Sequence, residues 1–497
     1  MSGRHLRLSN TCQGELLLGL AFSLAAQLQD SRGFRLPEHE TFKAKWSQFC
    51  GQLDDGLDYE SILGSDDILR QVFLLAALSS EPKLSPLSTC PTLDEHIITR
   101  LFDSLFGKHA PPPVSLIFFW VDDAWDYVCE PASLDTILGG AELLRGATSL
   151  NQRLGQLAKH CHLRASASDS FLAVARLLDD CLVLSSCTRG LVIAPSAAAP
   201  AISDAISRFV AVAMLSSSVR CEIVNVYPIE IAFGYRSRER WFDDFESDVK
   251  RGGGDVFEML GFDLGDSSIH DRDSLWRAFT ARKKFTELVN LATCGNVPER
   301  SIRPVQNRYE AFGLIADCTE CYERPASFAL PGDRLLCEPC NWKASVGAKI
   351  LQKARKLYAQ PFLDDADHLA VIAVVSDPFC ITLAEPSSLA TAVSAAQRQS
   401  DAIGKALKEV RSALPKTCLV SRLSPSEALL IVRSDEVGRC SELLGNALKQ
   451  QLKAEGTHRN AEVRVASSGA EHTVPIFVLV REAILRALTG SCEVIHA

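Results

Sequence analysis

The chain has 497 residues, of which 47% are hydrophobic and 23% are charged, and its formal net charge is −9. The composition is ordinary for a globular protein, and the length predicts about three or four domains at roughly 100–200 residues each. The negative net charge excludes binding of nucleic acid by the surface as a whole, so a contact with phosphate would need a local basic patch. The 17 cysteines are scattered outside one cluster, which is typical of free thiols in a reducing cytosol and predicts a cytoplasmic protein.

Residues 1–110 predict an N-terminal helical domain. Apolar residues recur there at helical spacing in three segments: 14–28, 67–78 and 93–105. The run 16–28 follows basic residues as in a signal peptide, but Glu15 interrupts its flank and the helical pattern continues, which favours a buried helix. No stretch reaches the roughly 20 apolar residues of a membrane span, so no membrane partner is expected. The prolines at 111–113 mark the domain boundary.

Residues 111–228 predict a first ferredoxin-like domain. The predicted elements are a strand at 114–121, a helix at 134–157, strands at 181–185 and 190–194, a helix at 200–215 and a strand at 221–227. The order β-α-β-β-α-β is the split βαβ arrangement of ferredoxin-like folds. Within the first helix, the pair Gly139-Gly140 predicts a bend.

Residues 361–497 repeat this order. The predicted elements are a strand at 368–375, a helix at 388–414, strands at 417–422 and 428–432, a helix at 436–453, a strand at 461–466 and a closing helix at 475–488. Two units with one pattern and no evident identity indicate a structural repeat. The predicted fold class is therefore α+β, with two ferredoxin-like domains, a helical N-terminal domain and an insertion at 229–360.

The insertion carries two C-x2-C pairs. Cys318 and Cys321 are followed after fifteen residues by Cys337 and Cys340. Each short pair makes a tight turn with both sulfurs on one side, and the loop between them lets four thiolates surround a tetrahedral Zn²⁺. Four thiolate ligands leave no open position, so the predicted cofactor is a structural zinc rather than a catalytic one. The alternative is an accidental cluster of thiols.

A basic segment follows the second pair. Residues 341–363 contain no acid and five cations: Lys343, Lys349, Lys353, Arg355 and Lys356. In a chain of net charge −9, these residues predict a positive patch on one helix face that could contact an RNA backbone. The alternative is a solvated helix surface. Trp342, beside the patch, is interpreted as a packing residue, with base stacking as the alternative.

Four motifs in this order resemble a known family. Residues 318–326 (CTECYERPA) and 337–343 (CEPCNWK) are similar to the start and end of its zinc knuckle. Residues 138–152 (LGGAELLRGATSLNQ) and 461–488 look like a helix of its first palm domain and the final strand and helix of its second. Over about 114–497, the chain resembles the large subunit of type III CRISPR–Cas effector complexes, the palm-polymerase family that makes cyclic oligoadenylates. The resemblance implies that both ferredoxin-like units are palm domains.

The chain departs from this family at the active-site turn. Active members carry Gly-Gly-Asp-Asp in the hairpin of the second palm, where the aspartates hold two Mg²⁺ ions. The matching turn here is Ser424-Pro425-Ser426-Glu427, and Asp377 after the first strand is the other candidate ligand. Two carboxylates beside a proline-stiffened turn make a poor two-metal site. The resemblance thus implies degenerate catalytic positions at Asp377, Ser424, Ser426 and Glu427, and a protein that is not an enzyme.

Other positions agree with a loss of catalysis. Residues 1–110 occupy the place of a histidine-aspartate nuclease but lack its dyad, and the first hairpin, 186–190, contains no acid. Three acids follow the first strand: Asp122, Asp123 and Asp126. They could form a lone metal site, but such a run is more typical of a solvated strand end.

The resemblance implies a structural or regulatory large subunit for antiviral defence. Its partners would be the RNA-backbone proteins of the effector complex, a guide RNA and a target RNA. Two alternatives stay open: a nucleotidyl cyclase that makes cyclic oligoadenylates from ATP with Asp377 and Glu427, and a zinc-ribbon interaction protein outside CRISPR.

Overall fold

The computed structural model describes residues 14–32, 34–55, 58–79, 95–107, 112–122, 124–150, 182–228, 316–331, 334–357, 360–364, 368–376, 389–456, 462–469, 475–489 and 492–496. These residues form helices and three antiparallel sheets, which confirms the predicted α+β class.

The N-terminal part is helical, as predicted. Its described helices are α1 (Gly14–Arg32), α2 (His39–Asp54), α3 (Tyr59–Leu63), α4 (Ile68–Leu78) and α5 (Glu95–Phe106). Asp67 starts α4 because its carboxylate accepts a hydrogen bond from the backbone N–H of Arg70. Phe42 of α2 packs edge-to-face on Phe73 of α4, 5.2 Å between ring centroids. None of the described helices is long and apolar enough to cross a membrane.

The first large sheet has four strands: β1 (Val114–Val121), β2 (Leu182–Ser185), β3 (Arg189–Pro195) and β4 (Val219–Val226). Their spatial order is β2-β3-β1-β4, and the three neighbouring pairs are antiparallel. The side chains of β1 alternate between the two faces of the sheet. Both faces are covered, so the run is buried on both sides. Leu116 and Phe118 pack with the N-terminal helices, whereas Ile117 and Phe119 pack on the opposite side.

Three helices accompany this sheet: α6 (Ala124–Cys129), α7 (Leu134–Thr148) and α8 (Ala199–Met214). The predicted helix 134–157 therefore ends at Thr148, and residues 151–181 lie outside the described residues. The pair Gly139-Gly140 does not interrupt α7, which is one continuous helix through both glycines.

The second large sheet has five strands: β7 (Leu369–Val375), β8 (Cys418–Ser424), β9 (Glu427–Arg433), β10 (Glu462–Gly469) and β11 (Glu493–His496). Their order is β11-β10-β7-β9-β8, so the first four strands in sequence repeat the order of the first sheet. The edge strand β11 was not predicted. Helices α10 (Leu389–Ala413) and α11 (Val437–Ala454) cover one face, where Ile372 and Val374 point.

The opposite face of the second sheet joins the core of the first. Helix α12 (Ile476–Thr489) and the long helix α9 (Glu338–Leu357) lie in one buried cluster with α7 and with side chains from both sheets. Ile117 of β1 and Val371 of β7 are members of that cluster. The short hairpin β5 (Phe328–Leu330) and β6 (Arg334–Leu336) precedes α9 and carries the cysteine motif.

Candidate metal centre and facing hairpin turns

The four cysteines of the two C-x2-C pairs converge on one buried point. All four are buried, and their sulfur atoms lie within 4.8 Å of one another. In the part of the chain that the structure describes, this is the only such group of potential metal ligands. The predicted convergence of the two pairs is therefore confirmed.

Backbone hydrogen bonds build the two turns that hold these thiols. The N–H of Tyr322 donates to the carbonyl of Cys318 at 2.9 Å, and the N–H of Asn341 donates to that of Cys337 at 2.9 Å. The second turn opens directly into α9, and the β5–β6 hairpin brings it back beside the first. The N–H of Thr319 donates to Leu335 at 2.7 Å, which fixes the register between the two halves.

The cluster fits a tetrahedral metal ion. Zinc–sulfur bonds of about 2.3 Å place neighbouring sulfurs of a tetrahedron about 3.8 Å apart, and Cys321 Sγ lies 3.8 Å from Cys337 Sγ. Hydrogen bonding to the other thiols, first Cys321, lowers the pKa of Cys318 far below its ordinary 9.0. Such crowded thiols cannot all ionise together without a cation. The four residues could therefore hold a metal ion such as zinc.

An ion-pair network fastens this centre to the start of α7. Glu320, buried between the first two cysteines, accepts hydrogen bonds from the Ser133 N–H at 2.9 Å and from Arg334 Nη2 at 2.7 Å. Arg334 Nη1 also donates to Asp135 at 2.9 Å. The guanidinium of Arg334 and the Ser133 hydroxyl lower the pKa of Asp135 against the effect of its burial. The network therefore joins the metal centre to the N-terminus of α7, one of the helices that accompany the first sheet.

Helices α7 and α9 cross in backbone contact. A methyl group at Gly139 would lie 1.8 Å from the carbonyl oxygen of Lys343, and one at Gly347 would lie 1.6 Å from that of Asp135. Only glycine permits this approach. The crossing fixes the second cysteine pair relative to α7, because Cys340 and Gly347 lie on the same helix.

The structure divides the predicted basic patch. Lys343 is only 1% exposed; its Nζ donates to the carbonyl of Tyr127 at 2.6 Å and lies 3.6 Å from the centroid of that ring. Lys343 is thus excluded from a surface that contacts RNA, because it lies on the face of α9 that docks on α7. Lys349, Lys353, Arg355 and Lys356 are exposed.

The turn predicted to match the family's catalytic motif is buried and hydrogen-bonded within itself. Ser424, Ser426 and Glu427 are buried at the β8–β9 turn, and Glu427 is 4% exposed. The Ser424 hydroxyl donates to Glu427 Oε2 at 2.6 Å, and the N–H of Ser426 donates to Ser424 Oγ at 3.1 Å. Asp377, the other candidate ligand, lies outside the described residues.

The β2–β3 turn of the first sheet faces this carboxylate. The N–H of Cys187 donates to Glu427 Oε2 at 2.6 Å, and its Sγ donates to Oε1 at 3.2 Å. Burial raises the pKa of Glu427, while hydrogen bonds from Ser424 and Cys187 and the charge of Arg189 oppose the rise. Burial and the charge of Glu427 raise the pKa of Cys187 well above 9.0. Both oxygens of Glu427 are thus engaged within the protein.

Of the remaining candidates, Asp122 and Trp342 are hydrogen-bonded within the protein. Asp122 accepts hydrogen bonds from Ser218 Oγ and Arg220 Nε, both at 2.8 Å, and Asp123 lies outside the described residues. Trp342 is buried and donates through Nε1 to the carbonyl of Ala213 at 3.0 Å, which agrees with its interpretation as a packing residue.

Sequence reasoning missed Cys187, Glu320 and Arg334. Cys187 lies in a turn with no acid, and only its contact with the second hairpin shows its role. The position of Glu320 inside the first cysteine pair was the available signal, since a charged residue there faces whatever the knuckle packs against.

Comparisons with known proteins give matches in structure. No protein-family model matches the chain, and no curated protein sequence matches it. Three similar solved structures are an apo Csm1–Csm4 cassette, the Csm1–Csm4 subcomplex of a type III-A CRISPR-Csm interference complex, and Csm1 from T. onnurineus.

Their identities to the chain are 11%, 10% and 10%, with TM-scores of 0.38, 0.40 and 0.41. The matches cover 85%, 96% and 97% of this chain and 57%, 83% and 81% of those chains. The chain thus spans less than two thirds of the length of the matched chain in the first of these structures. The structural neighbours of the chain are Csm1 subunits of type III CRISPR-Csm complexes, at low identity and modest TM-score.

Proposed function

We propose that the chain is a catalytically degenerate large subunit of a type III-like CRISPR ribonucleoprotein. The observation that carries the proposal is the four-cysteine centre, which lies in sequence between two antiparallel sheets whose first four strands have the same order. This placement agrees with the motifs at 318–326 and 337–343, which resemble the family's knuckle. The metal would be a structural zinc, because four thiolates close its coordination sphere.

The two sheets support the palm interpretation. In each, the first four strands have the order 2-3-1-4, numbered by sequence within the unit, which is the order that the split βαβ arrangement produces. We assign the units to 111–228 and 361–497, the helical domain to 1–110 and the insertion with the knuckle to 229–360.

The state of Glu427 supports a loss of catalysis. Two-metal phosphoryl transfer needs carboxylate oxygens that are open to the ions and to the nucleotide. The oxygens of Glu427 instead accept hydrogen bonds from Ser424 and Cys187 in a buried site. Ser424 and Ser426 have no carboxylate, so this turn would serve as a scaffold and relay between the palms rather than as a cyclase.

The exposed cations of α9 support an RNA-binding role. Lys349, Lys353 and Lys356 follow each other at spacings of four and three, so they share one face of the helix. Arg355 lies about 100° around the helix from Lys356, outside that face. Opposite them, Gly347 and Lys343 fix the helix on α7, which would hold the cations rigidly in position. This surface would contact the phosphates of a guide or target RNA, alongside RNA-backbone subunits.

The proposal is tested by purifying the tagged chain from its native host. Co-purified RNA is sequenced and co-purified proteins are identified by mass, at a salt concentration that preserves phosphate contacts. We expect a discrete set of repeat-derived guide RNAs together with RNA-backbone subunits. Protein free of RNA and of such subunits would contradict the proposal, and would leave the zinc-ribbon interaction protein as the better description.

A charge-reversal variant tests the α9 surface. Lys349→Glu, Lys353→Glu and Lys356→Glu together should reduce the RNA yield and lower the salt dependence of RNA binding by about 0.7 in log–log slope per lost phosphate contact. The matched control reverses three exposed lysines of the second unit, Lys408, Lys416 and Lys453. Equal RNA yields from the two triple variants would exclude α9 as the contact surface.

A further inference from the structure

Lys343 is a buried cation whose position the proposed RNA role does not explain. Its side chain is among the largest fully buried ones. Its Nζ donates one hydrogen bond, to the carbonyl of Tyr127, and rests over the ring of the same residue. Within the described residues it forms no ion pair with a carboxylate. A buried ammonium group is costly unless a negative charge lies close by.

The four-cysteine centre supplies such a charge. Four thiolates and one divalent ion carry a net charge of −2. Lys343 lies three residues after Cys340 in α9, and residues three apart share a helix face at about 5–6 Å between Cβ atoms. Burial lowers the pKa of Lys343; the charge of Cys340 opposes this effect most strongly, ahead of Glu130, whereas the charge of Arg324 adds to it.

A second cation approaches the centre from the first turn. The carbonyl of Arg324 accepts a hydrogen bond from the N–H of Cys318 at 2.8 Å, so this residue closes the first cysteine turn. Its Nη1 is buried and has no hydrogen-bond partner among the described residues. The charges that raise the pKa of Arg324 include those of Cys321, Cys337, Cys340 and Glu130. One cation thus follows each cysteine pair, three residues after the second cysteine of that pair.

We propose that Lys343 and Arg324 are the counter-ions of the metal–tetrathiolate centre, and that they slow metal release by stabilising its negative charge. Tyr127 positions Lys343 through its carbonyl and its ring. Lys343 and Arg324 are positioning residues for the metal and not ligands. The inference rests on the proposed metal site, and it does not depend on the proposed role in a CRISPR complex.

The test uses the full chain loaded with Zn²⁺ and follows the transfer of zinc to a chromogenic chelator. Loss of a group in the shell around metal ligands typically costs about 10–100-fold in metal affinity. Here the lost group would act through its charge, since the hydrogen bond of Lys343 goes to Tyr127 and Nη1 of Arg324 has no hydrogen-bond partner among the described residues. We expect Lys343→Met and Arg324→Gln each to release zinc about 10-fold faster or more than the wild type. Lys349→Met, which removes an exposed charge from the same helix, is the matched control and should release zinc at the wild-type rate.

Two further measurements make each outcome decisive. Loading with Co²⁺ should give the absorption of a tetrahedral tetrathiolate in the wild type and in all three variants, because the ligands are unchanged. If Lys343→Met does not fold, the partly exposed Arg324→Gln decides the question alone. The proposal would be overturned if Arg324→Gln, and Lys343→Met where it folds, released zinc at the rate of Lys349→Met. A wild-type chain that binds neither Zn²⁺ nor Co²⁺ would also overturn it. RNA co-purification reports separately on the proposed function.

Discussion

The carboxylate of Glu427 accepts a hydrogen bond from the backbone N–H of Cys187 at 2.6 Å, across 240 residues of sequence. The two residues belong to the β8–β9 and β2–β3 turns, so one contact ties the hairpins of both large sheets together. The Cys187 thiol and the Ser424 hydroxyl complete the set of donors around the carboxylate. Glu427, which the sequence predicts to be a degenerate catalytic position, therefore joins the turns of two hairpins.

Removal of this carboxylate should destabilise the protein strongly. Glu427→Ala leaves the Cys187 N–H and the Ser424 hydroxyl without their acceptor. A buried donor left without a partner typically costs about 1–3 kcal/mol, and more where the lost partner can carry a charge. We expect a loss of this size in the free energy of unfolding, measured in urea. Glu442→Ala, an exposed acid on α11, should change it by less than about 0.5 kcal/mol; equal effects of the two substitutions would contradict the assigned role.

The raised pKa of Glu427 makes a specific prediction about pH. Because burial raises its pKa in the folded state above the ordinary 4.5, the folded chain binds more protons than the unfolded chain between the two values. Stability therefore falls as pH rises from about 4.5 through the raised pKa. Glu427→Gln removes this titration. The difference in unfolding free energy between wild type and Glu427→Gln should shift against the wild type over that window, and a difference independent of pH would show that Glu427 does not titrate abnormally.

Local patterns in the sequence were sufficient for most of the architecture. The run at 114–121 is apolar apart from Ser115 because β1 is buried on both faces, and the short spacing within each cysteine pair itself forms a turn. These signals lie within a few residues of each other. The contact between Cys187 and Glu427 has no such signal, because it depends on how two separate hairpins pack.

The burial of Lys343 illustrates the same limit within one helix. A basic segment with helical spacing does not reveal which of its cations faces a neighbouring helix. The position of Gly347, four residues later, was the available indication, since a glycine on a helix face marks a close approach of another backbone. Only the crossing with α7 identifies that face as the buried one.

The crossing of α7 and α9 should not tolerate a methyl group. Gly139→Ala would place its Cβ 1.8 Å from the carbonyl oxygen of Lys343, so the helices must separate. Overpacking of this kind typically costs about 1–3 kcal/mol. We expect thermal unfolding at a lower temperature, together with faster zinc release, because α9 carries Cys340. Gly438→Ala in α11, where no atom lies within 4 Å of the added group, should leave stability unchanged or raise it slightly. A tolerated Gly139→Ala would contradict the close crossing.

Removal of the metal should speed hydrogen exchange at the start of α7. The centre holds Glu320 where it accepts the N–H of Ser133 and pairs with Arg334, so loss of the metal should release that N–H to solvent. We expect Cys318→Ser or Cys337→Ser to lose zinc and to speed hydrogen exchange at residues 133–136. The N–H groups of the β8–β9 pairing should exchange at the wild-type rate, since they lie in a separate sheet. Cys50→Ser, which changes a cysteine of α2 outside the four-cysteine cluster, is the matched control. Unchanged exchange at 133–136 in a zinc-free variant would show that the Glu320–Arg334 network stands without the metal.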